Sequence, residues 1–199
     1  MTLLEEDFRE TYREESTPVL ETERLVLRAP RLEDAKAVVT LASDRRVAEN
    51  TARIPHPYRL ADASEWISSV ATGAGKHTFL ITLDDLPIGA CGIDLRDGPT
   101  AELGYWLGAP HWGQGFATEA ARAVIDYAFE DLGHEALQAG ARVSNPASRR
   151  VLEKCGFQWT GVGLYRIRAM NSSAPCDRFR LDRGIWASLK SWGSTRRGG

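Results

Sequence analysis

A mixed α/β domain built on one sheet is the fold class that this sequence predicts. Segments with alternating apolar residues, typical of half-buried strands, are interspersed with segments whose apolar residues recur at steps of three and four, as on one helix face. Their order along the chain is βααβββαβαββ, and three of the strands follow one another through short turns, which is typical of an antiparallel meander. A length of 199 residues suits one domain with a substantial core.

Composition and charge exclude several classes of protein. The formal net charge is −2, so no basic excess indicates a nucleic-acid partner. No apolar run approaches the roughly 18 residues that a membrane-spanning helix needs, and the acidic N-terminus lacks the pattern of a signal peptide. Cys91, Cys155 and Cys176 have no metal-like spacing, and neither does any His/Cys/carboxylate set. We therefore expect a cytoplasmic protein with free thiols, no metal, and no membrane or nucleic-acid partner.

The first 17 residues are predicted to form an acidic extension outside the domain. Leu4, Phe8 and Tyr12 fall at steps of four, which favours a short amphipathic helix docked on the domain or on a second subunit. A solvated acidic arm is the alternative, so a monomer and a homodimer both stay open. The domain is predicted to span residues 18–192, followed by a disordered tail at 193–199.

The elements of the first half follow from periodicity and from turn residues. Two prolines between Asn50 and Leu60 predict a loop, and Asp62 and Glu65 are spaced as the capping box of the next helix. The predicted elements are a strand around Leu25–Leu27, a helix over Leu32–Ala42, a helix carrying Trp66, Ile67 and Val70, and strands over His77–Leu83 and Ile88–Leu95.

The second half begins with the strand around which the rest is organised. Leu103, Tyr105 and Leu107 alternate with smaller or polar residues until Pro110 ends the strand. Asn145 followed by a proline is typical of an N-cap and the first helical position. The remaining elements are a helix over Phe116–Leu132, a strand over Ala136–Val143, a helix from Asn145 to a C-cap at Gly156, strands over Phe157–Ile167 and Phe179–Leu181, and a closing helix over Ile185–Trp192.

Gly113 and Gly115 lie between this strand and the long helix that follows it. Glycines permit a tight turn, and the free N–H groups and the macrodipole of the helix N-terminus attract an anion. The turn does not end in the Gly-Lys-Ser/Thr of a P-loop. Thr118 stands where a dinucleotide fingerprint needs its third glycine, and no acidic residue ends the next strand. The pattern predicts a phosphorylated cofactor of another kind.

The segment from Trp112 to Glu119 (W-G-Q-G-F-A-T-E) resembles the acyl-CoA pyrophosphate loop of the GNAT superfamily of N-acetyltransferases, whose core reads Gln/Arg-x-x-Gly-x-Gly/Ala. Gly115 and Ala117 match its last two positions, whereas Trp112 stands where Gln or Arg is usual. Tryptophan at that position is familiar from the RimJ/RimL-type branch, which acetylates N-terminal α-amino groups of ribosomal proteins. The motifs L-E-T-E-R-L-V-L-R, P-H-P-Y, A-E-L-G-Y-W-L and N-P-A-S-R-R-V-L-E-K-C-G-F resemble the same branch, so the resemblance covers residues 20–190.

The resemblance implies a mostly antiparallel mixed sheet of about seven strands, flanked by helices, whose central pair splays apart. It also implies acetyl-CoA as cosubstrate, with its phosphates at the glycine turn and its pantetheine in the splayed gap. Backbone N–H groups near Trp106 and Leu107 would then face the thioester carbonyl. The predicted cofactor-binding residues are Trp106, Leu107, Trp112, Gly113, Gln114, Gly115, Phe116, Ala117, Thr118 and Asn145.

Glu102 and Ser148 are the predicted catalytic residues. Glu102 points opposite Leu103 on its strand, so it lines the gap as a general base or is solvated. A base acting through water is sufficient for an α-amine with a pKa of about 8, but not for a lysine at about 10.4. Ser148 either only favours the first helical turn or, as the resemblance implies, assists departure of the CoA thiolate. Tyr105 is the alternative proton donor, although its alternation favours core packing, and Asn145 is an N-cap, a pantetheine contact, or both.

The resemblance predicts transfer of an acetyl group to a primary amine, most favourably the N-terminal α-amine of a protein or peptide. A small-molecule amine (an amino acid, polyamine or aminoglycoside) is the alternative acceptor, and a non-catalytic acyl-CoA-binding module is the alternative from another class. The two least patterned segments, Asn50–Leu60 and Tyr165–Asp177, are taken as the loops that recognise the acceptor.

Overall fold

The computed structural model describes residues 17–72, 77–94 and 100–195. The predicted extension up to residue 16 and the predicted tail from residue 196 lie outside these ranges. The closing helix continues through Thr195, so residues 193–195, which were predicted to belong to the tail, are helical.

One sheet forms the centre of the fold. Its strands lie in the spatial order β1-β2-β3-β4-β5-β6-β8-β7. Within the described residues, β5 and β6 are the only parallel neighbours, so the predicted mixed, mostly antiparallel sheet is confirmed. The strand beyond the expected seven is the first, which is too short for periodicity to reveal. The strands are β1 Leu20–Glu21, β2 Val26–Arg28, β3 His77–Leu83, β4 Leu86–Asp94, β5 Ala101–Leu107, β6 Ala136–Arg142, β7 Gln158–Ile167 and β8 Ser172–Asp182.

The parallel pair separates along its length. Ala101–Leu103 of β5 pair with Leu137–Ala139 of β6, and the pairing ends there. Beyond that point β5 stays paired with β4 as far as Leu107, and β6 stays paired with β8 as far as Arg142. Because each strand keeps its outer partner, the two diverge and leave an opening between residues 104–107 and 140–142, which we call the split. The expected splay of the central strands is confirmed.

Helices cover both faces of the sheet. We call the side covered by α4, α5 and α6 the α4 face, and the side covered by α1 and α3 the α1 face. Along β5, Leu103 and Leu107 are buried on the α4 face, whereas Trp106 packs in the separate cluster on the α1 face. Strand geometry then places Glu102 and Gly104 on the α1 face as well. The helices are α1 Ala35–Ala42, α2 Arg45–Ala48, α3 Leu60–Thr72, α4 Phe116–Glu130, α5 Pro146–Lys154 and α6 Arg183–Thr195.

Two local predictions are corrected by the structure. The segment Tyr165–Asp177 is not a loop, because β7 continues to Ile167 and β8 begins at Ser172. Its strand pattern was hidden by a proline between two buried small residues, Ala174 and Cys176. At the start of α3, Asp62 does not cap the helix from outside, since its carboxylate accepts from the backbone N–H of Arg59 at 2.8 Å. The helix begins at Leu60, so Asp62 lies in its first turn.

Candidate active site

The glycine turn ends β5 and starts α4 as the sequence predicts. Gly113 and Gly115 have φ angles of 76° and 87°, in the left-handed region where a side chain would be strained. The first intrahelical bond runs from the N–H of Glu119 to the carbonyl of Gly115 at 3.1 Å. The three preceding N–H groups, those of residues 116–118, have no intrahelical acceptor by geometry. The turn therefore presents converging donors at the positive end of a helix of 15 residues, which suits a phosphate group.

Arg24 clamps this turn from the neighbouring β1–β2 connection. Its guanidinium donates to the carbonyl of Gln114 at 3.0 Å, forms two contacts of 2.6 and 2.8 Å with the Glu119 carboxylate, and lies 4.4 Å from the centroid of the Phe116 ring. Thr22 and the backbone N–H of Arg24 also donate to Glu119, at 2.6 and 2.8 Å. Burial raises the pKa of Glu119, but these bonds outweigh it and lower the pKa overall. The only carboxylate in the first turn of α4 is thereby neutralised beside the anion site.

Trp112 fixes the other end of the turn. Its indole N–H donates to the carbonyl of Leu107 at 2.8 Å, so the connection is tied back to the last residue of β5. The side-chain amide of Gln114 adds a bond of 3.1 Å to the carbonyl of Pro110. Trp112 remains 43% exposed, with the Arg46 guanidinium 5.6 Å from its ring centroid. The indole of Trp112 therefore holds the turn against β5, and this structural role explains a tryptophan at the position without a ligand.

Asn145, Ser148 and Tyr105 meet on the α4 face. The side-chain oxygen of Asn145 accepts from the backbone N–H of Ser148 at 3.2 Å, which confirms the predicted N-cap. The Tyr105 hydroxyl lies 2.9 Å from Ser148 Oγ and donates to the Ser148 carbonyl at 3.1 Å. Burial raises the pKa of Tyr105 well above its usual range, against a smaller lowering by the Ser148 bond. Tyr105 therefore packs in the core and also stays protonated next to Ser148.

The backbone of β5 presents donors to the split in a definite order. The N–H of Gly108 donates to the carbonyl of Ile88 at 2.9 Å, and hydrogen-bonded pairs alternate along an antiparallel ladder. Trp106, two residues earlier, therefore directs its N–H at β4. The N–H groups of Tyr105 and Leu107 point the other way, toward the split. Of the two predicted donors, Leu107 has the orientation that the prediction requires.

On the α1 face the split has an open floor. Glu102 is half-buried and pairs in register with Gln138 of β6, at the closed end of the split. Gly104 is exposed although it lies on a central strand, and no atom of the described residues comes within 4 Å of where its side chain would begin. Gly140 stands across the split, with the Tyr165 ring 3.7 Å from its virtual Cβ. A central strand with an exposed glycine beside a carboxylate is a place where a ligand can reach the sheet backbone.

The two segments predicted to recognise the acceptor are brought together beside this floor. The N–H of Arg168 donates to the carbonyl of Ala52 at 3.0 Å, and the guanidinium of Arg142 donates to the carbonyl of Glu49 at 2.7 Å. Arg53 forms an ion pair with Asp94 at the end of β4. The α2–α3 connection and the β7–β8 turn therefore border the same opening, on the side where Glu102 lies.

Sequence reasoning did not identify two arginines of the site. Arg24 stands inside a motif that was recognised only as a resemblance. Arg142 ends β6 at the mouth of the split, and its guanidinium donates to the carbonyl of Glu49, a contact between segments that are far apart in the sequence. The signal for Arg24 was its place in L-E-T-E-R, whereas Arg142 had none.

Glu102 and Ser148 are placed on opposite faces of the sheet, and the split connects them. Glu102 lies beside the opening on the α1 face, while Ser148 and Tyr105 border it on the α4 face. The described residues contain no group of three His, Cys, Asp or Glu side chains that could hold a metal ion. No helix within the described ranges is long and apolar enough to cross a membrane.

Comparisons with known proteins point to one family. The family model of the acetyltransferase (GNAT) domain matches residues 24–158. The uncharacterized N-acetyltransferase p20 of Bacillus licheniformis is 34% identical over 149 residues, which are 72% of this chain and 84% of that protein. The ribosomal-protein-serine acetyltransferase of Escherichia coli is 33% identical over 81 residues, 40% of this chain and 45% of that protein.

Among solved structures, Mycobacterium smegmatis RimJ in complex with CoA-disulfide superposes with a TM-score of 0.74 at 20% identity, over 89% of this chain and 95% of that one. This likeness shows the fold. The family match spans most of the chain and includes β2 to α5. The chain therefore belongs to the GNAT acetyltransferase family and is an N-acetyltransferase.

Proposed function

We propose that this enzyme transfers the acetyl group of acetyl-CoA to the N-terminal α-amine of a protein or peptide. The observation that carries the proposal is the split, with Glu102 on the α1 face and Ser148 on the α4 face, next to the anion-binding start of α4. The relative that acetylates a ribosomal protein supports the choice of acceptor class.

Acetyl-CoA fits the α4 side of the split by its chemistry. Its pyrophosphate needs several donors that converge without a lysine, and the N–H groups from Gly113 to Thr118 supply them. The pantetheine amides need backbone partners, and the N–H groups of Tyr105 and Leu107 point toward the split, where β6 has diverged. Asn145 stands at the start of α5, which flanks that strand, so its amide borders the same path.

Acetyl-CoA, when bound, supplies the thioester whose carbonyl carbon the amine attacks. Glu102 accepts the proton of the amine, directly or through a water molecule. The N–H of Leu107 donates to the carbonyl oxygen as negative charge develops there, and one such fixed donor contributes about 3 kcal/mol. Ser148 donates a proton to the departing sulfur. Tyr105, held beside it and protonated, can replace that proton.

The choice of an α-amine follows from its low pKa, because its deprotonation needs little assistance from a general base. With a pKa of about 8, a useful fraction of such amines is neutral at pH 7, so a single half-buried carboxylate is sufficient. A lysine side chain with a pKa of about 10.4 would need a stronger base. The open floor at Gly104 also leaves room for a main chain to approach β5.

The proposal is tested by turnover on a panel of amines. Purified protein and acetyl-CoA are mixed with peptides bearing free N-termini, peptides whose only amine is a lysine, and small amines, and thiol release is followed. We expect the free N-termini to give the highest kcat/KM, and Glu102→Gln to remove most of it, whereas Glu135→Gln, at an 85% exposed side chain, serves as the matched control. Turnover confined to small amines would favour the alternative acceptor.

A further inference from the structure

We propose that Arg122 of α4 and Arg150 and Lys154 of α5 bind the 3′-phosphate of acetyl-CoA. We call these three side chains the basic patch. The inference rests on the proposed function, because it concerns the cosubstrate of the same site. The 3′-phosphate distinguishes CoA from 3′-dephospho-CoA, so the patch makes the enzyme selective for the complete cosubstrate.

The basic patch lies where the end of α5 contacts the first turns of α4. The Arg122 guanidinium donates to the backbone carbonyl of Lys154 at 3.0 Å, and the Cys155 thiol lies 3.9 Å from the carbonyl of Thr118. Arg122 is four residues after Thr118, so it lies about 6 Å along the helix axis from the last free N–H group of the turn. Long side chains on a helix lean toward its N-terminus. The Arg122 side chain is therefore directed back toward the anion-binding start of α4.

Arg150 and Lys154 extend the patch along α5. They are four residues apart, so their side chains share a face of the helix, and both residues are exposed. Arg149 lies on a different face, since its guanidinium pairs with Glu153 at 2.9 Å and lies 3.5 Å from Asp177 of β8. Arg150 and Lys154 are about 100° and 140° round the helix from Arg149, so they face away from β8.

The cations of the basic patch have no carboxylate within ion-pair distance in the described part of the chain. Glu153 is paired with Arg149 instead. Asp126 is four residues after Arg122 but lies 3.4 Å from the ammonium of Lys190. A phosphate monoester carries a charge of about −1.5 to −2 at pH 7 and three acceptor oxygens, so it can bind several of the patch donors at once.

The covalent structure of acetyl-CoA brings a phosphate monoester close to this patch. Its 3′-phosphate is attached to the same ribose as its pyrophosphate, so the two groups bind near each other. The glycine turn offers backbone N–H groups to the pyrophosphate, but the charge of Arg24 at that turn is taken up by Glu119. The 3′-phosphate therefore needs cations from a neighbouring surface, and the basic patch supplies three of them beside the same helix start.

The test compares CoA with 3′-dephospho-CoA, which differ only in this phosphate. The binding of each to the protein is measured by calorimetry at low ionic strength, without an acceptor. We expect dephospho-CoA to bind about tenfold more weakly, and the double variant Arg122→Gln/Arg150→Gln to lower this ratio toward one by weakening the binding of CoA alone. Arg122→Lys retains the charge and should keep more of the ratio than Arg122→Gln.

Arg149→Gln is the matched control. It removes one positive charge from the same helix, but on the face that contacts β8, so it should keep the ratio. The three patch residues are exposed, so their substitution should change the Tm little. If the double variant does not fold, Lys154→Gln is measured alone, and it should lower the ratio in the same direction.

The outcomes separate this inference from the proposed function. Equal affinities of the unaltered protein for the two ligands, or a ratio that the patch variants leave unchanged, overturn the inference while acetyl-CoA remains the cosubstrate. An equal loss in Arg149→Gln also overturns it, because net charge alone would then explain the preference. If neither ligand binds, both the cosubstrate and the inference are wrong. Acetylation of small amines but not of peptides contradicts only the proposed acceptor, since the calorimetric ratio is measured without one.

Discussion

The split opens on both faces of the sheet, and we call its two sides the α4 end and the α1 end after those faces. The two differ in how firmly their side chains are held. At the α4 end, the glycine turn is fixed by Arg24, by Glu119 and by the indole of Trp112, and each of these polar groups has a partner within the chain. At the α1 end, no atom of the described residues covers Gly104, and the buried Nε of Arg142 has no hydrogen-bond partner among them. Donors that are already held in place suit a ligand that is the same in every turnover. A polar group without a partner in the chain gains a hydrogen bond or ion pair only when a ligand binds. We infer that the α4 end binds the common cosubstrate and the α1 end selects the acceptor.

The largest expected effect is that of a substitution at the α1 end, which should change acceptor turnover and leave cosubstrate binding unchanged. Glu102→Gln should lower kcat/KM for the acceptor about 100-fold at pH 7, because general base catalysis contributes at least that much. The KM for acetyl-CoA should not change, since Glu102 lies on the other face. The deficit should shrink as pH rises above about 8, where the α-amine loses its proton unaided. Full turnover of the variant in steady-state assays of thiol release would show that Glu102 is not the base.

A smaller effect is expected at the pair of hydroxyls on the α4 face. Ser148→Ala should lower kcat about tenfold, because the thiolate then leaves without a positioned donor. Tyr105→Phe should lower it less, since the raised pKa of Tyr105 makes it a reserve of protons rather than the first donor. Because their hydroxyls are 2.9 Å apart, the double variant should show a smaller loss than the product of the two single losses. Independent losses, measured in the same assay, would mean that the two residues do not act together.

Removal of the Arg24 side chain at the α4 end should weaken the binding of acetyl-CoA alone. Arg24→Ala should raise the KM for acetyl-CoA about fivefold with kcat nearly unchanged, because the carbonyl of Gln114 is released and the charge of Glu119 is left beside the phosphates. Arg31→Ala is the matched control, since the Arg31 guanidinium forms an ion pair with the exposed Glu33 at 3.4 Å.

The contacts between Arg24 and Glu119 also predict how the KM for acetyl-CoA depends on pH. The pKa of Glu119 is lowered in the folded state, so its stabilising bonds are complete above its unfolded pKa of about 4.3 and are lost as pH falls through the lowered value. The KM for acetyl-CoA should therefore show no Glu119 titration between pH 6 and 8. A titration in that range would contradict the clamp.

How far the sequence predicts this molecule depends on how local each feature is. The glycine turn, the N-cap at Asn145 and the alternation in β5 are local, and each was found from residue types at short spacing. Arg24 and Glu119 are 95 positions apart, so their contact depends on β1 and β2 lying beside α4, which periodicity does not encode. The α1 end is assembled from β5, β6, β7, β8 and the α2–α3 connection, and part of β8 was predicted to be a loop. Features that need three or more elements to meet were the ones missed.

The smallest expected effect tests the boundary between the two ends, at the N-cap that holds Ser148. Asn145→Ala removes the acceptor of the Ser148 N–H and should lower stability by about 1 kcal/mol, which is a fall in Tm of about 2–4 °C for a domain of this size. Asp62→Ala removes a comparable bond at the start of α3, away from the split, and should lower the Tm by a similar or smaller amount. Assayed well below either Tm, Asn145→Ala should also raise the KM for acetyl-CoA, whereas Asp62→Ala should not. If both variants lose only thermal stability, Asn145 is a cap and nothing more, and the α4 end is bounded by the glycine turn and β5 alone.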